Sequence, residues 1–466
     1  MVFSSTVFLF LFFPSVLIIY YLPILKNRRN VRNCFLFFSS LFFYAWGEPL
    51  FVFLLFFSIL ITWIIGIALG RNYGKAKKAF LTVGIVYHVG LLFVFKYLAF
   101  IAQEISILSE ALSSSFNIAL PIGISFYTFQ MMSYLFDVYY GRAAVQSSFQ
   151  NLGLYVSFFP QLIAGPIVRY KTIEQQITDR KETLESFEVG IKRFIFGIGK
   201  KVILADTLGI VADSIFALAH VSGVSLLTGW IGAIAYMFQI YFDFSGYSDM
   251  AIGLGLCFGF HFDENFNHPY LADSINDFWK RWHISLTNWF RDYVYIPLGG
   301  NRVGIKRQIL NTVIVWTLTG IWHGANWTFL VWGLVYCCFQ LMEKYLYQPL
   351  HWPQVLRHFY TVVVVCLCWV IFRAQSVADA VNFISDLFGR SGFVDSSTTY
   401  YFSNSIVVLS LSLICCIFPA LRLRWKLPVT AAIREISIYV VLVFILFIAV
   451  TTSISGGYSP FIYFNF

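Results

Sequence analysis

The sequence predicts an all-α, polytopic membrane protein, and three observations predict it. Of 466 residues, 59% are hydrophobic and only 12% are charged, about half the charged fraction of an average soluble domain. The apolar residues recur as runs long enough for helices to cross a bilayer, not as the weak alternating segments of an outer-membrane barrel. The 32 Lys and Arg residues gather between those runs, as they do where basic loops fix the orientation of membrane helices. That placement also accounts for the net charge of +9, so no nucleic-acid partner is expected. Cys337, Cys338, Cys366, Cys368, Cys415 and Cys416 sit inside apolar stretches. Thiols so placed behave as small hydrophobes, and no metal site is expected.

Taken in order, the apolar run Val2 to Leu25 lacks a basic leader and is too long for a signal-peptide core, so it reads as a retained helix. Lys26, Arg28, Arg29 and Arg32 follow it, which puts the N-terminus outside and this loop in the cytoplasm. Crossings are expected at Cys34 to Trp46, Leu50 to Leu69, Phe80 to Ala102 and Pro121 to Tyr140. Leu154 to Val168 is interrupted by Pro160, Gly165 and Pro166 and suits a re-entrant or broken helix lining a polar cavity. Thr172 to Arg193 is the longest charged stretch and reads as a helix on the cytoplasmic surface. Further crossings are expected at Phe194 to Leu218, Leu227 to Phe244, Ile309 to Trp322, Trp327 to Tyr345, Phe359 to Phe372, Ile406 to Phe418 and Ser437 to Val450. The expected total is about 11 or 12. Arg422, Arg424 and Lys426 mark the last cytoplasmic loop, which leaves the tail 451–466 outside. No linker divides the chain, which reads as one domain over 1–466. Gly253, Gly255 and Gly259 follow no strand and read as helix-packing positions, not a dinucleotide loop.

Two segments break the hydrophobic rhythm. The stretch 261–308 is dense in polar and aromatic side chains, among them Lys280, Arg281, His283, Asn288, Trp289 and Arg291. A solvated cytoplasmic loop is one reading. So many Trp and Tyr residues point instead to helices half-buried at the interface or around a cavity. The second segment places His323 and Asn326 between two apolar helices, beside Gly320 and Gly324. An ionisable residue at membrane depth is costly and marks a functional site by default; a histidine satisfied by a backbone carbonyl is the bland alternative. The glycines, which allow close approach of backbone or substrate, favour function.

At these residues the chain resembles the membrane-bound O-acyltransferase family, in its alginate O-acetyltransferase-like branch. The string FWKRWHISLTNWFRDYVYIPLGGNR (Phe278–Arg302) carries the resemblance, and so does LTGIWHGANWT (Leu318–Thr328). Further matches are Pro121–Gln130, Phe159–Pro166, Asp243–Asp249, Trp369–Ala374 and the terminal Phe461–Phe466. Many relatives have His-Gly where this chain has Tyr336 and Cys337. The resemblance implies a fold of transmembrane, re-entrant and interfacial helices around a central cavity. It implies transfer of an acetyl group from cytoplasmic acetyl-coenzyme A, a substrate and not a bound cofactor, for O-acetylation of an extracellular or cell-wall polysaccharide.

The resemblance also distributes roles. His323 matches the family's invariant histidine and is the candidate base, since a neutral imidazole accepts a hydroxyl proton near pH 7. His283 matches a second family histidine and either orients the donor carbonyl, relays a proton, or holds the Trp-rich loop by a hydrogen bond. Lys280, Arg281 and Arg291, with Asn288 and Trp289, are the candidate donor-binding residues, the bases attracting coenzyme A phosphates. Asp243 and Asp249 are expected to pair with these bases. Tyr463, the only hydroxyl of the terminal block, is a candidate acyl acceptor; an aromatic interfacial anchor is the alternative. The expected partners are membrane lipid, an extracytoplasmic acetyltransferase and the polysaccharide, with the protein in a bacterial plasma membrane. A transporter or a non-catalytic scaffold of an export complex is the competing class. A transporter commonly shows paired repeats, and none is visible in this sequence.

Overall fold

The computed structural model describes residues 1–104, 119–163, 165–347, 349–422, 431–454 and 461. Among them every regular element is helical. The first helices are α1 (Phe13–Tyr20), α2 (Arg29–Gly47), α3 (Phe51–Arg71), α4 (Gly74–Leu92) and α5 (Leu98–Glu104). Next come α6 (Ile124–Tyr139), α7 (Phe149–Ser157), α8 (Phe159–Leu162), α9 (Tyr170–Thr178) and α10 (Leu184–Gly199). They are followed by α11 (Asp206–Ser222), α12 (Leu226–Cys257), the short α13 (Ile275–Arg281) and α14 (Ile284–Phe290), then α15 (Ile305–His323) and α16 (Trp327–Tyr345). The last are α17 (Gln354–Arg373), α18 (Val377–Leu387), α19 (Thr398–Arg422) and α20 (Ala431–Ile454). The described residues gather into two units. One comprises Met1–Phe196 and Tyr247–Asp263; the other comprises Gly197–Gly246 and Glu264–Thr452, with Phe461.

Six helical stretches among the described residues are long and apolar enough to cross a membrane: Phe51–Arg71, Gly74–Ala102, Leu184–Ser222, Gln354–Arg373, Thr398–Ile417 and Glu435–Ile454. The remaining expected crossings include α12, α15 and α16, which bury Tyr236, Asp243, Trp316, Trp332 and Tyr336 against protein. A helix whose neighbours are protein does not need an apolar face all round. The run Val2 to Leu25 is not one regular helix. A π-turn at Phe8–Phe12 leads into α1, and a 3-10 turn at Pro23–Leu25 follows.

The break expected near Pro160 is present. Helix α7 stops at Ser157 and the four-residue α8 carries Pro160 in its first turn. Proline there has no N–H to donate, and inside a continuous helix its ring would meet the carbonyl four residues back. The expected surface helix from Thr172 to Arg193 is corrected: α9 ends at Thr178, and α10 starts at Leu184 and runs through a π-turn at Lys200–Ala205 into α11.

The chain breaks there because residues 179–183 hold a buried polar cluster of the first unit. Arg180 is 4% exposed and donates to Phe258 O at 3.0 Å, Asn33 Oδ1 at 2.8 Å, Ile177 O at 3.1 Å and Tyr20 Oη at 2.9 Å. Glu182 accepts from Tyr20 Oη at 2.5 Å and forms an ion pair with Arg29. Burial disfavours the Glu182 carboxylate, yet hydrogen bonds from Arg29 and Tyr20 and the Arg29 and Arg180 charges outweigh burial and hold it below its usual range. Gly190 and Gly253 supply a close crossing in the same unit: a Cβ on either would lie within 2.6 Å of the other's carbonyl oxygen. Gly253 is thus a packing position, as expected from sequence; Gly190 is its unforeseen counterpart.

Breaking a buried charge cluster by removing one partner costs about 3 kcal/mol or more, because the remaining groups stay buried and uncompensated. Arg180→Met, which keeps the volume, is therefore expected to lower the thermal unfolding midpoint of the purified protein by several degrees. An unchanged midpoint would show that the cluster contributes nothing net.

Candidate functional site

The site of the second unit is built upward from a carboxylate. Glu343 on α16 is 5% exposed, and its oxygens accept from Ile275 N at 2.7 Å, Asn276 N at 2.9 Å and Asn276 Nδ2 at 2.7 Å. A negative charge at the free N–H groups of a helix start is favoured by the helix dipole as well as by the hydrogen bonds. Ser274 caps the same turn by accepting from Asp277 N at 3.0 Å. Helix α13 is thereby fixed, and the backbone turns out of it at Trp282 into His283.

His283 is 1% exposed and has φ 44° and ψ 53°, the left-handed region that costs a side-chain-bearing residue roughly 1–2 kcal/mol. The conformation is held by Asn265. Asn265 O accepts Ile284 N at 3.0 Å, while its Oδ1 faces Ser285 N at 3.1 Å, Ser285 Oγ at 2.8 Å and His283 Nδ1 at 3.2 Å. The His283 ring stands edge-on to Phe244, centroids 4.6 Å apart, and 6.1 Å from Trp322. Burial pushes this imidazole far below its ordinary range, to about 3, so it is neutral at physiological pH.

His323 is the last residue of α15 and is 4% exposed. Its ring packs edge-on against Trp332 at 4.9 Å and Phe372 at 5.1 Å, and lies 4.9 Å from Trp322. The two histidines, 40 positions apart by number, thus flank one indole. The neighbouring glycines act as expected. A Cβ on Gly320 would come 2.6 Å from Phe329 O, and one on Gly324 would come 2.3 Å from the Phe329 ring. Only glycine lets α15 and α16 close around His323.

Around the basic residues, α13, α14, the π-turn Arg291–Tyr295, α15 and α16 enclose a cavity of about 440 Å³. Lys280, Arg291 and Lys344 give it positive charge; Trp279, Trp316 and Phe290 give it apolar wall. Trp279 reaches Trp332 at 5.7 Å, and Trp332 reaches His323, so one indole separates the wall from the imidazole. Arg281 lies outside this cavity, bound to Asp277 at 2.8 Å. Asn288 and Trp289 are outside it too; the Trp289 ring packs on Phe290 and Tyr293. Arg373 lines a second cavity of about 850 Å³ together with Asp213, Tyr236, Gln375 and Asn382.

Asp243 and Asp249 do not pair with this basic group. Asp243 binds Lys201 at 2.8 Å, and Asp249 binds Arg193 at 2.8 Å. The basic group instead pairs with its own sequence neighbours, Arg281 with Asp277 and Arg291 with Asp292, each at 2.8 Å. Tyr336 fills an aromatic stack: 5.4 Å from Trp316, 5.3 Å from Trp332 and 5.0 Å from Trp279. Tyr463 lies outside the described residues. The tail residue that is described, Phe461, is 1% exposed and 5.8 Å from Phe244, the ring that contacts His283. Sequence reasoning missed Asn265, Glu343 and Lys344 as site residues. The one signal for the last two was an adjacent Glu-Lys pair closing an otherwise apolar run.

Residues 38–379 match the model of the membrane-bound O-acyltransferase family. The chain is 37% identical to a protein of Pseudomonas putida named "Probable alginate O-acetylase", with all of both chains covered. It is 34% identical to a peptidoglycan O-acetyltransferase of Helicobacter pylori, over 84% of this chain and 80% of that one. It is 28% identical to a teichoic acid D-alanyltransferase of Bacillus subtilis, over 56% of this chain and 70% of that one. With this match and the apolar helices already described, the chain belongs to the membrane-bound O-acyltransferase family and is a multi-pass membrane O-acyltransferase.

Proposed function

We propose that this protein takes an acetyl group from acetyl-coenzyme A on the cytoplasmic side of a bacterial plasma membrane and passes it outward for O-acetylation of a cell-surface polysaccharide. The observation that carries this reading is a pair of buried, aromatic-walled imidazoles, of which His323 lies one indole away from a basic cavity. The names of the relatives, an alginate O-acetylase and a peptidoglycan O-acetyltransferase, support an acetyl group and a polysaccharide acceptor.

The chemistry needs little covalent help, because a thioester is already activated. The attacking hydroxyl oxygen forms a C–O bond as the C–S bond breaks, and its proton must be taken up. His323 takes that proton. Trp322, Trp332 and Phe372 around it exclude water that would otherwise hydrolyse the donor. Lys280, Arg291 and Lys344 hold the phosphates of coenzyme A, while Trp279 and Trp316 line the way for its pantetheine arm. Both termini lie outside in this reading. Tyr463 then accepts the acetyl group as a tyrosyl ester, which remains a reactive donor because a phenoxide with pKa near 10 leaves more readily than an alkoxide. Phe461, buried beside the Phe244 ring that touches His283, supports this role for the terminal block. A separate extracytoplasmic transferase completes delivery to the polymer.

Purified protein in lipid nanodiscs, given acetyl-labelled coenzyme A, is expected to release free thiol and retain or transfer the label; donor that stays intact would refute the reading. His323→Ala is expected to lower that turnover by about 100-fold or more, the range of general-base removal, and turnover near the wild-type value would refute the base. Lys280→Glu combined with Arg291→Glu is expected to raise the apparent KM for the donor about tenfold, equivalent to ~1.4 kcal/mol, with kcat little changed; an unaltered KM would leave these residues as orientation signals only. Tyr463→Phe keeps the aromatic tail and is expected to abolish polymer acetylation in cells, and the wild-type C-terminal peptide is expected to show an acetyl adduct by mass spectrometry. Full acetylation by this variant would make the tail an anchor.

A further inference from the structure

The contacts around Asn265 settle a question that the two-histidine arrangement leaves open, namely which nitrogen of His283 carries its proton. Asn265 Oδ1 lies 3.1 Å from Ser285 N. A backbone N–H only donates, so the atom facing it is the amide oxygen and not the amide nitrogen. The orientation of the Asn265 side chain is therefore fixed by the backbone. The same oxygen lies 3.2 Å from His283 Nδ1, closer than Ser285 Oγ at 3.4 Å, so the nearest polar neighbour of Nδ1 is an acceptor, which favours the proton on Nδ1. Ser285 Oγ, 2.8 Å from that oxygen, donates to it as well. The left-handed backbone at His283 and the edge-on Phe244 ring hold the imidazole in this register.

We infer that Asn265 is a positioning residue that locks His283 into the Nδ1–H tautomer, so that His283 meets the reaction through the lone pair of Nε2. Resting on the acetyl transfer proposed above, this decides between the roles open to His283. An unprotonated Nε2 has no hydrogen to offer a thioester carbonyl oxygen, so His283 does not polarise the donor. It is a proton acceptor. His323 takes the proton released from the attacking hydroxyl, and the leaving sulfur receives one as the C–S bond breaks. Nε2 of His283, on the other side of the Trp322 indole, can accept a proton on that route and has none to give to the carbonyl. One C–O bond forms, one C–S bond is lost, and both imidazoles return to their neutral states. Burial, which keeps His283 uncharged between turnovers, suits a group that holds a proton only in passing.

The test uses the full-length protein labelled with 15N-histidine, with His283 assigned by comparison with His283→Gln. Its nitrogen shifts are expected to show a protonated, pyrrole-type Nδ1 and an unprotonated, pyridine-type Nε2; the opposite pattern overturns the inference whatever the activity. Asn265→Leu is expected to release the tautomer and lower kcat for acetyl-coenzyme A turnover roughly 100-fold, with KM for the donor unchanged. Asn265→Asp, which still accepts from Nδ1–H, is expected to restore most of that loss. Wild-type kcat in Asn265→Leu, or no rescue by Asn265→Asp, also overturns it. If wild-type protein turned over no donor at all, the acetyl-transfer reading would fail while the tautomer measurement would stand.

Discussion

The bond between Glu343 and the start of α13 is the constraint from which the rest of the site follows. A carboxylate buried on α16 is tolerable only if its lone pairs are filled by donors. The backbone N–H groups of Ile275 and Asn276 fill them. Those same N–H groups have no partner of their own inside α13. Each side supplies what the other lacks, so α13 is tied to α16 at one point and can rotate little about it. Trp279 and Lys280 are thereby turned toward the cavity, and the chain leaves α13 next to Asn265, where His283 is received.

A second constraint is the aromatic packing. Trp279, Trp316, Trp332, Tyr336 and Phe278 meet mostly edge to face, an arrangement that places the positive edge of one ring on the negative face of the next. These large, rigid side chains make a mostly apolar wall, in which the Trp316 indole N–H donates to Gln340 Oε1 at 2.9 Å. Tyr336 keeps that wall complete beside Trp316, Trp332 and Trp279. The glycines at 320 and 324 are the complement of this bulk. They remove side chain where α15 and α16 must touch, so that His323 is pressed against rings on two other helices.

Much of the site was legible in the sequence because its chemistry is concentrated in two short segments. His283, His323, Lys280 and Arg291 stand out since polar and basic residues are rare in an apolar chain and expensive at membrane depth. The supporting residues were illegible for the opposite reason. Asn265 lies among other polar residues, and nothing local says that its oxygen will meet Ser285 N and His283 Nδ1 eighteen to twenty positions later. Glu343 reads as the polar end of a crossing. Arg281 reads as a cavity residue, yet its i,i+4 neighbour Asp277 captures it, as helix spacing permits.

The sequence by itself determined the fold class, the membrane setting, the family and the two imidazoles, because composition, apolar run length and long contiguous motifs are properties of the chain in one dimension. It also determined the break at Pro160, since a missing N–H acts locally. Only the tertiary structure decided the rest: that Asp243 and Asp249 serve Lys201 and Arg193, that the charged stretch after α9 is interrupted by a buried arginine, and that both histidines face one indole. Pairings of this kind depend on which helices become neighbours. Hydrophobic runs drive segments into the membrane with little preference among partners, whereas a hydrogen bond in a dry interior is set by a few tenths of an ångström.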